Sequence, residues 1–226
     1  MSLRLFLDSA DPNQWQRWLP GGLFHGVTTN PTLLARVGRP CRLDALAELV
    51  DLARELGCLE LHLQAWGQEA DRLESCGRTL HGLDPGQVVV KLPVTREGSM
   101  AAGRLIATGV PVTFTACYEV AQVLVAAALG AQYIAPYLGR ICDQGRDGHA
   151  ELIAMHQALR GVGSEVRLLA ASVRRPADLG RLAAAGLDTF TLAPEVVAEL
   201  FACEATAAAA ARFEQHAASG GGTSPA

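Results

Sequence analysis

The segment VVVKLPVTREG, Val88 to Gly98, sets one lysine, Lys91, directly behind three valines. An ammonium held among apolar walls is costly, so a lysine there loses charge and its pKa falls. Lowered toward about 7–8, its amine can attack a carbonyl, lose water and form a Schiff base. The protonated imine then draws electrons when a neighbouring carbon–carbon bond breaks. Such chemistry also needs a proton carrier and hydroxyl or amide groups to hold a polyol. Asp8, Asn30, Thr115, Tyr137 and Ser172 are groups of these kinds. From VVVK alone the alternative stands that the lysine only snorkels to solvent along its stem.

Residues this far apart in the chain can meet only if a repeated architecture gathers them. Short β-rich runs near Leu3–Asp8, Gly26–Thr28, Leu59–Gln64, Val88–Leu92, Val110–Thr115, Tyr133–Ala135, Arg167–Ala171 and Thr189–Leu192 alternate with helical stretches. One such stretch is RLDALAELVDLAREL, whose Leu43, Leu46, Leu49, Val50 and Leu56 fall mostly on one helical face. Repeated βα units imply parallel strands, because each return of the chain needs a crossover helix. Eight of them fit an α/β fold of the closed (β/α)8 TIM-barrel type better than an open sheet, which would leave two edges to protect. Gly109, Gly130, Gly161, Gly163 and Gly186 stand where helices should end in a left-handed cap.

In such a barrel, function belongs at the C-terminal ends of the strands. The expected rim is polar: Asp8 on strand one, Thr28 and Asn30 after strand two, His62 and Gln64 on strand three, Lys91 on strand four. Thr115, then Tyr137 with Arg140, then Ser172 with Arg174 continue it around the ring. One domain over residues 1–217 is expected, with a flexible tail over 218–226 ending in SGGGTSPA.

Composition narrows the function classes. The formal charge of −4 gives no electrostatic footprint for nucleic acid and no basic block for an anionic membrane. Six scattered cysteines form no CxxC pair and no Cys/His ligand spacing, so neither a disulfide framework nor a metal site is suggested. Reduced thiols, an N-terminus without a signal-peptide pattern and no apolar run near the length of a membrane helix point to a soluble, cytoplasmic protein.

In order along the chain, FLDSAD, GVTTNPTLL, VVVKLPVTREG, AQYIAPYLGR, LLAASVRRP and DTFTL resemble the successive signatures of the transaldolase family. They resemble most its short branch, the fructose-6-phosphate aldolase/transaldolase-like proteins. The resemblance covers nearly the whole chain, from Leu5 to about Phe213. It implies a cofactor-free class I aldolase barrel with Lys91 as the Schiff-base residue. Asp8 and Asn30 match the acid and amide that contact the sugar and assist proton transfer, with Thr28 beside them. Thr115 matches a threonine that orients the water of imine formation and hydrolysis. Ser172, Arg140 and Arg174 match the positions that hold a phosphorylated end, where arginine's planar fork suits phosphate. The resemblance also implies a homo-oligomeric ring, of five or ten subunits, with a C-terminal helix packed on a neighbour.

Family members differ in the fate of the three-carbon fragment on the lysine. Tyr137 matches the tyrosine of the aldolase branch where transaldolases resemble SPFVGR, and Ala135 in place of serine points the same way. A phenol can donate and recover a proton; phenylalanine cannot. Strand three departs from the pattern. LELHLQ puts His62 where the family has glutamate or glutamine, with Gln64 two residues on and on the same face. Either residue could hold the catalytic water. The sequence thus favours an aldolase acting on a ketose phosphate with dihydroxyacetone-type donors and aldehyde acceptors. A transaldolase and a non-catalytic sugar-phosphate-binding barrel are the alternatives.

Overall fold

The computed structural model describes residues 2–219. Eight strands form one parallel sheet: β1 (Arg4–Asp8), β2 (Gly26–Thr28), β3 (Glu60–Gln64), β4 (Val88–Pro93), β5 (Val112–Cys117), β6 (Tyr133–Pro136), β7 (Arg167–Leu168) and β8 (Thr189–Leu192). Neighbours in sequence are neighbours in space, and β1 also pairs with β8. The remaining gap is closed by a parallel bridge from Ala170 to Phe190, with Ala170 N donating to Thr189 O at 2.9 Å and Thr191 N to Ala170 O at 3.0 Å. The sheet is a closed (β/α)8 barrel, and closure removes the exposed edges that an open sheet would carry.

Eleven α-helices are described: α1 (Pro12–Trp18), α2 (Pro31–Arg36), α3 (Leu43–Glu55), α4 (Ala70–His81), α5 (Arg96–Ile106), α6 (Val123–Leu129), α7 (Leu138–Asp143), α8 (Gly148–Gly161), α9 (Pro176–Ala184), α10 (Pro194–Leu200) and α11 (Glu204–Ser219). Of the expected tail 218–226, Ala218 and Ser219 finish α11; residues 220–226 lie outside the described residues. None of these helices is long and apolar enough to cross a membrane. Left-handed glycines close helices at Gly109, Gly130, Gly163 and Gly186, whereas Gly161 is still helical.

The alternation of strand side chains divides the core in two. Leu7, Val27, Leu61, Leu63, Val90 and Leu92 face the helices and join their apolar faces in the larger cluster. Phe6, Val89, Tyr133, Ala135, Leu169 and Ala171 point inward and fill the barrel. The barrel is narrow at β2, where a Cβ on Gly26 would stand 2.1 Å from Glu60 O and 3.0 Å from the Phe6 ring. Only glycine fits there.

The N-terminal half of the barrel interior is polar yet saturated. Glu60 accepts hydrogen bonds from Arg4 at 3.0 Å, His25 at 3.0 Å, Gln132 at 3.2 Å, Tyr133 at 2.7 Å and His62 at 3.1 Å. Burial opposes charge on Glu60, but the bonds from His62, His25 and Tyr133 outweigh it and hold its pKa at about 2. Burial pushes His62 down to about 4, against the pull of Glu60, so its imidazole is neutral at pH 7. Its Nε2–H then donates to Glu60, and its Nδ1 accepts from Thr113 Oγ1 at 3.0 Å.

Candidate active site

At the opposite end polar residues gather: Asp8, Thr28 and Gln64 end β1, β2 and β3, and Lys91 and Thr115 stand two residues before the ends of β4 and β5. Asp8 ends β1, and its carboxylate accepts from Thr28 Oγ1 at 2.7 Å; the same hydroxyl lies 2.6 Å from Thr191 Oγ1 on β8. This three-strand bridge fixes the carboxylate. Asp11, not Asp8, caps α1, through Asn13 N at 2.9 Å. Asn30 caps α2 by accepting from Leu33 N at 3.0 Å, which leaves its amide N–H groups free for a ligand.

Lys91 lies within β4 with 5% of its surface exposed. It is the only lysine in the chain; every other basic side chain, histidine aside, is an arginine. Among the described residues its amine has no hydrogen-bond partner, and Lys91 lines the cavity, where a substrate can reach it. Burial draws its pKa below the ordinary lysine range, and the charge of Asp8 partly offsets that fall. Thr115 on β5 is buried, and its hydroxyl lies 2.6 Å from Tyr137 OH. The register between β5 and β6 shifts from Phe114 to Cys117, and Ala116 between them takes a left-handed φ of 56°. That irregularity turns the end of β5 toward Tyr137.

These groups share one cavity of about 330 Å³. Asp8, Asn30, Lys91, Ala135 and Tyr137 line its floor and sides. Arg140, Ser172 and Arg174 line it from α7 and the loop after β7, and Thr32, Leu33 and Arg36 from α2. Ser172 also has a left-handed φ, of 55°, and its carbonyl accepts from Gly139 N at 2.9 Å. A Cβ on Gly139 would come within 2.6 Å of that carbonyl, so the approach requires glycine. The Arg140 guanidinium lies 4.6 Å from the Tyr137 ring centre and reaches Tyr118 OH at 3.5 Å. Arg174 is engaged elsewhere: both its terminal nitrogens donate to Asp143, one at 2.7 Å.

Of the residues singled out from the sequence, eight line this cavity: Asp8, Asn30, Lys91, Ala135, Tyr137, Arg140, Ser172 and Arg174. Thr28 and Thr115 stand one hydrogen bond behind it. His62 does not line it; it is fully buried one layer deeper, with both ring nitrogens occupied. Gln64 pairs in register with Lys91 but is not among the lining residues. The sequence reading missed Thr191, Arg36, Tyr118 and Asp143. Thr191 could have been found, since TFTL ends a strand in the same alternation as its neighbours. A cavity of about 350 Å³ at the N-terminal end, lined by His156, Ser164, Arg167 and Asp188 among others, is as large but has no amine that could form an imine.

The family model described as transaldolase/fructose-6-phosphate aldolase matches residues 5–221. The chain belongs to this family. It is 37% identical to a probable transaldolase of Caulobacter sp. (strain K31) over 199 residues, 88% of this chain and 89% of that protein. With probable transaldolase 2 of Listeria monocytogenes serovar 1/2a it shares 35% over 190 residues, 84% of each chain. Among solved structures, thiamine phosphate pyrophosphorylase from Pyrococcus furiosus superimposes with a TM-score of 0.59 at 13% identity, covering 84% of this chain and 85% of that one. A native KDPGal structure gives 0.59 at 15%, covering 85% and 82%. At such identities the structural likeness shows the barrel alone. Family membership makes the protein an enzyme of carbon–carbon bond chemistry, of the aldolase/transaldolase class.

Proposed function

We propose that the protein is a Schiff-base aldolase that cleaves and forms the C3–C4 bond of a ketose phosphate such as fructose 6-phosphate. The observation that carries this reading is the only lysine of the chain, a buried side chain near the C-terminal end of β4, without a hydrogen-bond partner among the described residues and in one cavity with Asp8 and Tyr137. Uncharged, Lys91 attacks the ketose carbonyl at C2; the carbinolamine loses water and becomes a protonated imine. A base takes the proton of the C4 hydroxyl, the C3–C4 bond breaks, and its electron pair moves into the imine to leave an enamine and a free aldehyde. Protonation of the enamine at C3 and hydrolysis release dihydroxyacetone and restore the amine.

Tyr137 and Asp8 are the proposed proton carriers. The phenol is held by Thr115 and the carboxylate by Thr28, so each meets the substrate in a fixed orientation. Asn30, Ser172 and Arg140 hold the polyol and its phosphate. Gln64, beside Lys91 in register, is the proposed holder of the catalytic water; His62 stabilises the barrel beneath it. A transaldolase, passing the enamine to an aldose phosphate before hydrolysis, is the second reading, favoured by the relatives' names.

The test is a product assay on fructose 6-phosphate with and without erythrose 4-phosphate. Free dihydroxyacetone is expected for the aldolase; sedoheptulose 7-phosphate only with acceptor indicates the transaldolase. Borohydride with dihydroxyacetone should trap one adduct on Lys91, and an intact mass without it sinks both readings.

A cytoplasmic homo-oligomer completes the proposal. The six cysteines are unpaired. Helix α11 is almost wholly exposed and carries Phe213 with 70% of its surface bare, a face suited to a second copy. Phe213→Asp should lower the mass seen by light scattering if that helix assembles the ring.

A further inference from the structure

The cavity mouth carries three guanidinium groups on three elements, and their surroundings differ. Arg174 is neutralised by Asp143, which takes both of its terminal nitrogens. Arg140 packs on the Tyr137 ring and touches Tyr118 OH, with no carboxylate partner. Arg36, in the last turn of α2, has neither a salt bridge nor a hydrogen bond with any described residue, yet it lines the cavity. Its helical position explains why. Thr32 and Leu33, four and three residues before it, line the same cavity, so one face of α2 forms this wall. The cavity has two carboxylates: Asp143 pairs with Arg174, and Asp8 accepts from Thr28 and acts on Arg140 only through its charge, without a salt bridge.

Arg36 and Arg140, on facing walls of the cavity and without a salt bridge to any described residue, can take an anionic partner from outside the chain. Resting on the aldolase reading, we infer that Arg36 is a specificity-determining residue, closing on the terminal phosphate of the substrate from α2 opposite Arg140 and Ser172. A phosphate monoester dianion offers three acceptor oxygens, enough for guanidinium forks from two sides, and such charge-assisted pairs are the strong ones. Arg174, with its charge offset, orients Asp143 and the rim and contributes less to phosphate affinity. The ordinary alternative is an arginine solvated at a helix C-terminus, where it only complements the helix dipole.

The deciding measurement compares two acceptors that differ only by a phosphate, glyceraldehyde 3-phosphate and glyceraldehyde, at fixed dihydroxyacetone. Arg36→Ala should lower the ratio of their kcat/KM values roughly tenfold to a hundredfold, through KM of the phosphorylated acceptor. Arg36→Lys should restore part of the ratio, and Arg174→Ala should change it less than Arg36→Ala does. A ratio within twofold of the wild type, or an equal loss on both acceptors, overturns the inference. Calorimetric titration of inorganic phosphate provides a readout independent of turnover: Arg36→Ala should weaken binding by a similar factor, and unchanged binding also overturns the inference. Should the wild type form no product and no borohydride adduct, the aldolase reading fails, while the calorimetry still decides the role of Arg36.

Discussion

The two ends of the barrel each set an ionisable side chain on the axis, Glu60 part-buried and Lys91 buried, and treat it in opposite ways. At the N-terminal end the Glu60 carboxylate accepts from five side chains on four different segments. At the C-terminal end the Lys91 amine has no hydrogen-bond partner among the described residues, and Asp8 acts on it only through its charge. A buried charge that is fully hydrogen-bonded is a structural element, because breaking the network strands its partners. One left without partners is destabilised until a substrate arrives. On the proposed Schiff-base reading, the difference separates scaffold from reagent within a single fold.

The largest expected effect lies at the reagent end. Lys91→Met should lower turnover by on the order of 10⁴-fold or more, since no other side-chain amine exists to replace it. The same variant should unfold at higher urea, by about 1–3 kcal/mol, because an amine desolvated in a buried side chain gives way to an apolar side chain of similar length. A loss of stability instead would break the comparison. At the other end Glu60→Ala should cost about 3–5 kcal/mol, leaving Arg4, His25, His62 and Tyr133 without their acceptor. Its folded fraction should still form the borohydride adduct.

Acidity separates the two ends further. Glu60 titrates at about 2 in the folded protein against an ordinary 4.5, and His62 at about 4 against 6.5. In both cases the unfolded chain binds the proton first, so their contribution is present at neutral pH and lost on acidification. The part from His62 disappears between pH 6.5 and 4, the part from Glu60 between 4.5 and 2, and together they amount to roughly 3 kcal/mol or more. Lys91 acts at alkaline pH. Its folded pKa is lowered, so its cost to stability is relieved as pH rises toward 10.5. Urea midpoints from pH 3 to 10 should therefore rise on both limbs, and Lys91→Met should flatten the alkaline limb only.

Much of this arrangement was legible in the sequence because alternation and βα repetition are local signals. The bounds of β2 and β8 match the sequence reading, and the polar strand ends fall at one mouth because parallel strands in a closed ring have no other choice. The β7 run, expected to reach Ala171, is a regular strand only to Leu168, with bridges at Ala170 and Ala171 beyond it. Depth was not legible. Alternation puts His62 and Gln64 on the same inward face, but the stagger of neighbouring strands decides which layer each occupies, and stagger is a property of closure. Pairing was not legible either. Nothing in the sequence ties Arg174 to Asp143, 31 residues away, or leaves Arg36 unpaired at the end of α2.

The smallest effect concerns strain, and it too divides the ends. Among the described residues only Ala116 and Ser172 take a left-handed φ without being glycine, and both stand at the mouth beside Tyr137. For alanine this conformation costs about 1 kcal/mol or slightly more. Ala116 follows Thr115 at the irregular join of β5 and β6, so the strain is tied to the 2.6 Å contact between Thr115 and Tyr137. Ala116→Gly should raise the free energy of unfolding by about 0.5–1 kcal/mol, the relieved strain being partly offset by glycine's freedom in the unfolded chain. If that strain holds the threonine against the phenol, kcat should fall a few-fold while KM for the sugar stays put. A variant that gains stability with kcat unchanged would mean that packing alone aligns the pair and that the left-handed turn has no part in positioning it.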